Sequence, residues 1–144
     1  MSTITIQRYL EPSDDAARAF FSQPPSGPLV MLNLLRFRAW ADYSPTPELA
    51  PPVPISGEAA YRKYVEHTKP FLAKAGGEVL FFGRGGPYLI GPGGECWHAA
   101  MLVRQASAVA FLAFASNPEY LAGIGHRTAA LEDSRLLPLV EQPV

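Results

Sequence analysis

The chain has 144 residues, 48% apolar and 17% charged, a composition that supports one packed domain without disulfides or metals and excludes a disordered chain. Twelve basic against thirteen acidic residues leave a net charge of −1, with no basic run of five, which argues against a broad nucleic-acid footprint and against an electrostatic membrane anchor. The single cysteine, Cys96, excludes an intramolecular disulfide; with no signal-peptide pattern and no apolar run of membrane-spanning length, the expected compartment is the cytoplasm.

Ile4 and Ile6 share one face of a short predicted strand. Ser13 then reads as the N-cap of a helix ending near Phe21, ahead of Pro24 and Pro25. Pro28 to Phe37 is a nearly continuous apolar run, which suits a central strand covered on both faces. Alternation places Asn33 with Met31, Leu35 and Phe37, and Arg36 with Leu32 and Leu34. Residues 38–55 carry five prolines between Pro45 and Pro54, so they predict a loop, pinned to the body by Trp40 and Tyr43.

Ser56 caps the clearest helix, which reaches Ala75 and stops at Gly76-Gly77; Tyr61, Tyr64, Thr68, Phe71 and Leu72 recur at helical spacing. Glu78 to Gly83 is the second strand of the core. After a turn at 84–87, Tyr88-Leu89-Ile90 begins to pair back until Gly91-Pro92-Gly93-Gly94 breaks it. Cys96 to Arg104 is the third strand, and alternation groups Trp97 with Ala99, Met101 and Val103. Ser107 caps a helix to about Ala115, Asn117-Pro118 opens another that continues or restarts through His126 to Leu131, and Ser134 to Val140 is the last strand.

The order β-α-β-β-α-β is that of an α+β, ferredoxin-like domain with a four-stranded antiparallel sheet. The whole chain, 1–144, reads as one such domain, with 1–27 an N-terminal extension and 38–55 a proline-rich loop. Two helices on one face leave the other sheet face open, and a second copy of the chain is the simplest cover.

Seven segments in order carry a family likeness: Met31 to Phe37, Gly57 to Tyr64, Gly76 to Leu80, Ile90-Gly91-Pro92, Phe111-Leu112, Pro118-Glu119-Tyr120, and His126 to Leu136. Together the chain resembles the domain-of-unknown-function family 1330 (DUF1330). That resemblance implies a ferredoxin-like domain that dimerises as a dimeric α+β barrel. The barrel superfamily holds cofactor-free monooxygenases, ring-cleavage isomerases, haem-linked enzymes and many uncharacterised members. No catalytic residue carries over from it.

The residues themselves nominate a small set. Asn33, a lone amide in an apolar strand, and Tyr64, on the inner face of the long helix, would position a substrate. Arg127 would give a two-pronged contact to a carboxylate or carbonyl, or else pair with Glu132 or Asp133. His67 or His126 would move a proton, or else be structural. Cys96, His98 and His126 form no paired metal motif, so no metal and no cofactor is expected. The expectation is therefore a homodimer with a largely apolar small-molecule pocket between sheet and helices, partly closed by the proline loop. If the protein is an enzyme, the resemblance to the barrel superfamily implies cofactor-free oxygenation or isomerisation of a hydrophobic compound; the alternative is a non-catalytic ligand-binding or interaction domain.

Overall fold

A computed structural model describes residues 7–144, so the strand expected at Ile4 and Ile6 lies outside the described residues. The elements are α1 (Asp14–Ser22), β1 (Leu29–Phe37), α2 (Gly57–Lys74), β2 (Glu78–Arg84), β3 (Ala99–Gln105), α3 (Ala108–Ala115), α4 (Pro118–Leu121), α5 (Ile124–Ala130) and β4 (Leu131–Leu139). Four helix starts are set by cap side chains. Ser13, Ser56 and Ser107 accept the N–H three residues on, and Asn117 accepts that of Glu119. The glycine pair closes α2 with two tail bonds, Gly77 N–H to Leu72 O at 2.9 Å and Gly76 N–H to Ala73 O at 3.0 Å.

The strands form one antiparallel sheet in the order β2-β3-β1-β4. With α2 crossing from β1 to β2, and α3 to α5 crossing from β3 to β4, this is the ferredoxin-like topology. Register fixes the faces: Met31 stands opposite Val103, and Leu35 lies between Ala99 and Ser134. Leu29, Met31, Leu35 and Phe37 are buried under the helices in one core with Tyr61, Tyr64, Leu72, Ala129 and Ala130. Removing each of the leucine, methionine and phenylalanine side chains from water stabilises the fold by about 1.5–3 kcal/mol. The opposite face carries Val30, Leu32 and Leu34 of β1, with Leu102, Phe81 and Leu137 beside them, and among the described residues no helix covers it.

Three expectations are corrected. Tyr88-Leu89-Ile90 does not pair back: Leu89 and Ile90 are exposed, and the pairing ahead of β3 (Gly85 with His98, Gly86 with Trp97, and the isolated bridge between Pro87 and Cys96) stops before them. The flanking glycines and prolines leave those residues too few ladder bonds for a strand. Trp97 lies on the open face, away from Ala99, because a bend at His98 breaks the alternation. There the Arg36 guanidinium stacks on the Trp97 ring at 4.7 Å and that of Arg135 at 5.1 Å. Trp40 does not pin the proline loop, since it is 68% exposed. The loop is held by Tyr43, which is buried, and by main-chain bonds from Ala41 to Ile55 and from Asp42 to Ala129, both 2.9 Å. A short 3-10 turn, Pro47–Leu49, gives it further order.

The segment ahead of α1 is sewn to the start of β4. Arg8 donates to the carbonyls of Leu131 and Glu132, each at 2.7 Å, and the Tyr9 N–H donates to the Asp133 carboxylate at 2.8 Å. Ser134 donates its hydroxyl to the Tyr9 carbonyl. Further on, Phe20 and Phe21 of α1 pack their rings on Phe111 of α3.

Candidate functional site

Asn33 faces the helix layer, and its amide N–H groups point at main-chain carbonyls, Met31 at 3.2 Å and Met101 at 3.5 Å. Tyr64 lies in a buried tyrosine cluster. Its hydroxyl meets that of Tyr120 at 2.7 Å, and its ring lies against Tyr61 and Tyr120. Burial, reinforced by Tyr64, pushes the Tyr61 and Tyr120 hydroxyls far above the ordinary phenol range, so both stay protonated.

His67 bridges α2 and α4. Its Nε2 stands 2.9 Å from the Glu119 carbonyl and 3.2 Å from that of Tyr120. Both partners only accept, so Nε2 carries the proton and donates. Gly123 makes room for this ring, because a Cβ there would run into it.

His126, on α5, is hydrogen-bonded through Nδ1 to the Tyr43 hydroxyl at 2.8 Å, which clamps the proline loop to the helix layer. Burial holds its pKa below the ordinary 6.5, and the charges of Lys63 and His67 act in the same direction. The folded state therefore resists a proton that the unfolded chain accepts. The stability this confers is intact above about pH 6.5 and falls as pH drops through the window between 6.5 and the lower folded value. Urea unfolding at about pH 7.5 and about pH 5.5 should show a larger loss for the wild type than for His126→Phe. Parallel losses would rule this linkage out.

Arg127 pairs with neither Glu132 nor Asp133. It donates to the Leu10 carbonyl and, at 3.3 Å, to the Ser134 hydroxyl, so it ties the N-terminal extension to β4. Asp133 is instead claimed by Arg135 at 2.9 Å and Arg36 at 3.9 Å. Burial works to raise the Asp133 pKa, but the Tyr9 and Ser134 N–H groups and Arg135 outweigh it and hold the carboxyl below its usual range.

Two concavities stand out, and none of Asn33, Tyr64, His67, His126 and Arg127 lines either. One, of about 330 Å³, lies within the proline loop and is lined by Ala41, Tyr43 and residues 50–55. The other, of about 170 Å³, lies between the sheet and the first turns of α2, lined by Phe37, Glu58, Arg62, Phe82, Arg84, His98 and Ala99. It exists because the helix layer does not reach across β2. Phe82 shares the helix-side face with Met101 yet remains 44% exposed.

The second cleft combines charge with aromatic surface. Arg84 donates to Glu58 Oε1 at 2.8 Å, and Arg62 approaches the same oxygen at 3.6 Å. The ring of His98 lies nearly parallel to Phe37, 5.9 Å between centroids, and its Nδ1 accepts the Phe37 N–H at 2.9 Å. A nitrogen that accepts carries no proton, so the neutral ring holds its proton on Nε2. Sequence reading considered His98 only as a metal ligand and passed over Glu58, Arg62, Phe82 and Arg84. The Glu58–Arg62 spacing of four was a legible helix-face pair. Arg84 and His98 join it only through the β2–β3 register.

Among the described residues no group of three or more His, Cys, Asp or Glu side chains could hold a metal ion, and no helix is long and apolar enough to cross a membrane.

No protein-family model matches the chain, and no curated protein matches it. Solved structures do. The chain is similar to RPA0582 of Rhodopseudomonas palustris, a protein of unknown function, with 32% identity over 95% of this chain and 100% of that one and a TM-score of 0.81. The methylated RPA0582 protein gives 30% identity over 96% and 98%, with a TM-score of 0.85. A dimeric ferredoxin-like protein of unknown function from Bacteroides fragilis is 17% identical over 78% of this chain and 94% of its own, with a TM-score of 0.45. Identity of 30% or more along nearly the whole of both chains means that this protein belongs to the same family as RPA0582.

Proposed function

We propose that the protein binds a small molecule in the cleft between the sheet and α2, and that it does so as a homodimer closed over the open sheet face. The observation that carries the reading is the cleft's lining, in which the rings of Phe37 and Phe82 stand with the charged groups of Glu58, Arg62 and Arg84 and the imidazole of His98. Small-molecule sites pair apolar walls with a few convergent polar groups in this way. The cleft's 170 Å³ suits one ring, since an apolar cavity of about 150 Å³ admits benzene. The dimer is supported by the open face, where Phe81 and Leu137 are 56% and 53% exposed beside Leu32, Leu34 and Leu102. Resemblance to family 1330 and to the dimeric α+β barrels fits the same assembly.

The reading is binding rather than turnover. Cofactor-free oxygenation or isomerisation needs a group in the cleft that can take a proton. The Nδ1 lone pair of His98 already accepts the Phe37 N–H, and Glu58 is held by two guanidinium groups. His67 donates its Nε2 proton to carbonyls elsewhere. A turnover reading would rest on His126, whose imidazole meets Tyr43 beside the proline-loop concavity.

Amide spectra of the full chain, recorded with single-ring aromatic probes at millimolar concentration, test the site. The expected result is saturable shifts at Phe37, Phe82, His98 and Ala99. Shifts confined to the proline loop, or none, would remove the cleft as the site.

A further inference from the structure

We infer that the ligand of this cleft is a small aromatic carboxylate, its anionic group held by Arg62, Arg84 and the His98 Nε2–H and its ring against Phe37 and Phe82. The inference rests on the cleft being a small-molecule site, and adds the charge and shape of what enters.

Charge comes first. Two guanidinium groups face a single carboxylate, and both approach one oxygen of it, Glu58 Oε1. Each guanidinium has five N–H donors in a rigid fork that matches a carboxylate in two-pronged fashion. Both side chains are more than 70% exposed, so they can turn toward a newcomer without unfolding anything. The cleft also lies at the start of α2, an 18-residue helix whose dipole adds positive potential there.

Hydrogen-bond polarity agrees with charge. With Nδ1 occupied by the Phe37 N–H, the neutral His98 ring offers the cleft a donor and no acceptor. Every polar side chain lining the cleft except Glu58 therefore donates. The complementary ligand presents acceptors and negative charge at one end. Its other end meets Phe37 and Phe82, which suit a flat apolar ring. Glu58 is then an internal anion with which the ligand competes for the same two cations.

The test compares benzoate, benzyl alcohol and benzylamine, which share a ring and differ in charge, by amide shifts on the full chain. Benzoate should bind at least about tenfold tighter than benzyl alcohol, with benzylamine weakest. Arg84→Gln should bring benzoate down to the level of benzyl alcohol. Glu58→Gln should tighten benzoate severalfold and leave benzyl alcohol unchanged, an effect that a purely structural role for Glu58 would not produce. The His98 Nε2 nitrogen signal should move on adding benzoate while Nδ1 stays an acceptor. Benzyl alcohol or benzylamine matching benzoate in the cleft would overturn the carboxylate assignment and leave the small-molecule reading standing. Absence of cleft shifts with all three would overturn both.

Discussion

Gly57→Ala should destabilise the protein by about 3 kcal/mol or more and lower its melting temperature by about 10 °C. Gly57 opens α2 where three backbone segments meet. Its N–H donates to the Arg38 carbonyl at 3.0 Å, and the Arg38 N–H donates to the Ala130 carbonyl at 2.8 Å. A Cβ at Gly57 would stand 2.6 Å from the Ala130 oxygen and 2.7 Å from the Arg38 nitrogen, and would also strike the Arg38 oxygen. All three are backbone atoms, so no rotamer change relieves the clash. Either α2 moves away from the β1 and α5 ends, or both hydrogen bonds stretch. Gly86→Ala is the control: a Cβ there meets nothing within 4 Å, and its effect should stay within about 0.5 kcal/mol. Urea unfolding of both variants is the measurement. A loss below about 1 kcal/mol for Gly57→Ala would show that the crossing has slack the geometry denies.

The second large effect concerns assembly. Phe81→Glu and Leu137→Glu each place a charge on the open sheet face, Phe81 beside Leu102 and Leu137 beside Leu32. Both side chains are more than half exposed in one protomer, so folding should survive the change. In a twofold dimer each substitution counts twice. At about 2 kcal/mol per central contact, one substitution should weaken the dimer about a thousandfold. Sedimentation velocity should show the wild type as a dimer and each variant as a monomer at micromolar concentration, with unchanged far-ultraviolet circular dichroism. A wild type that sediments as a monomer, or variants that remain dimeric, would remove the sheet-face dimer.

Much of the fold was legible because its signals are local. Ser13, Ser56, Ser107 and Asn117 mark helix starts by cap chemistry, and each makes the expected bond. Pro28 to Phe37 reads as a strand from its apolar run, and Leu29–Phe37 forms β1, an inner strand of the sheet. The misreadings arise where local pattern and global register part. Tyr88-Leu89-Ile90 has strand-like residues but no partner. The face of Trp97 turns on a one-residue bend at His98 that periodicity cannot reveal. The candidate site was harder, because sequence reading favours rare polar residues in apolar settings. Asn33 is such a residue, and its amide goes to main-chain carbonyls. The cleft is built instead from ordinary surface residues, Arg62 and Arg84 among them, which become neighbours only when β2 and α2 come together.

The bonds that Arg8 and Tyr9 make to residues 131–133 join segments that lie far apart along the chain. Tyr9 bonds to Asp133, 124 positions away, and Arg8 reaches Leu131 over 123. The central strand β1 likewise waits for both neighbours, β3 and β4, which come from the second half of the chain. During synthesis the early segments leave the ribosome with their partners unmade, and α2 is the longest element whose backbone hydrogen bonds are all local. Loop closure over such spans is slow. Until β3 docks, the nascent chain carries an unpaired apolar β1, and until β4 docks one edge of that strand stays open, the kind of surface that folding chaperones shield.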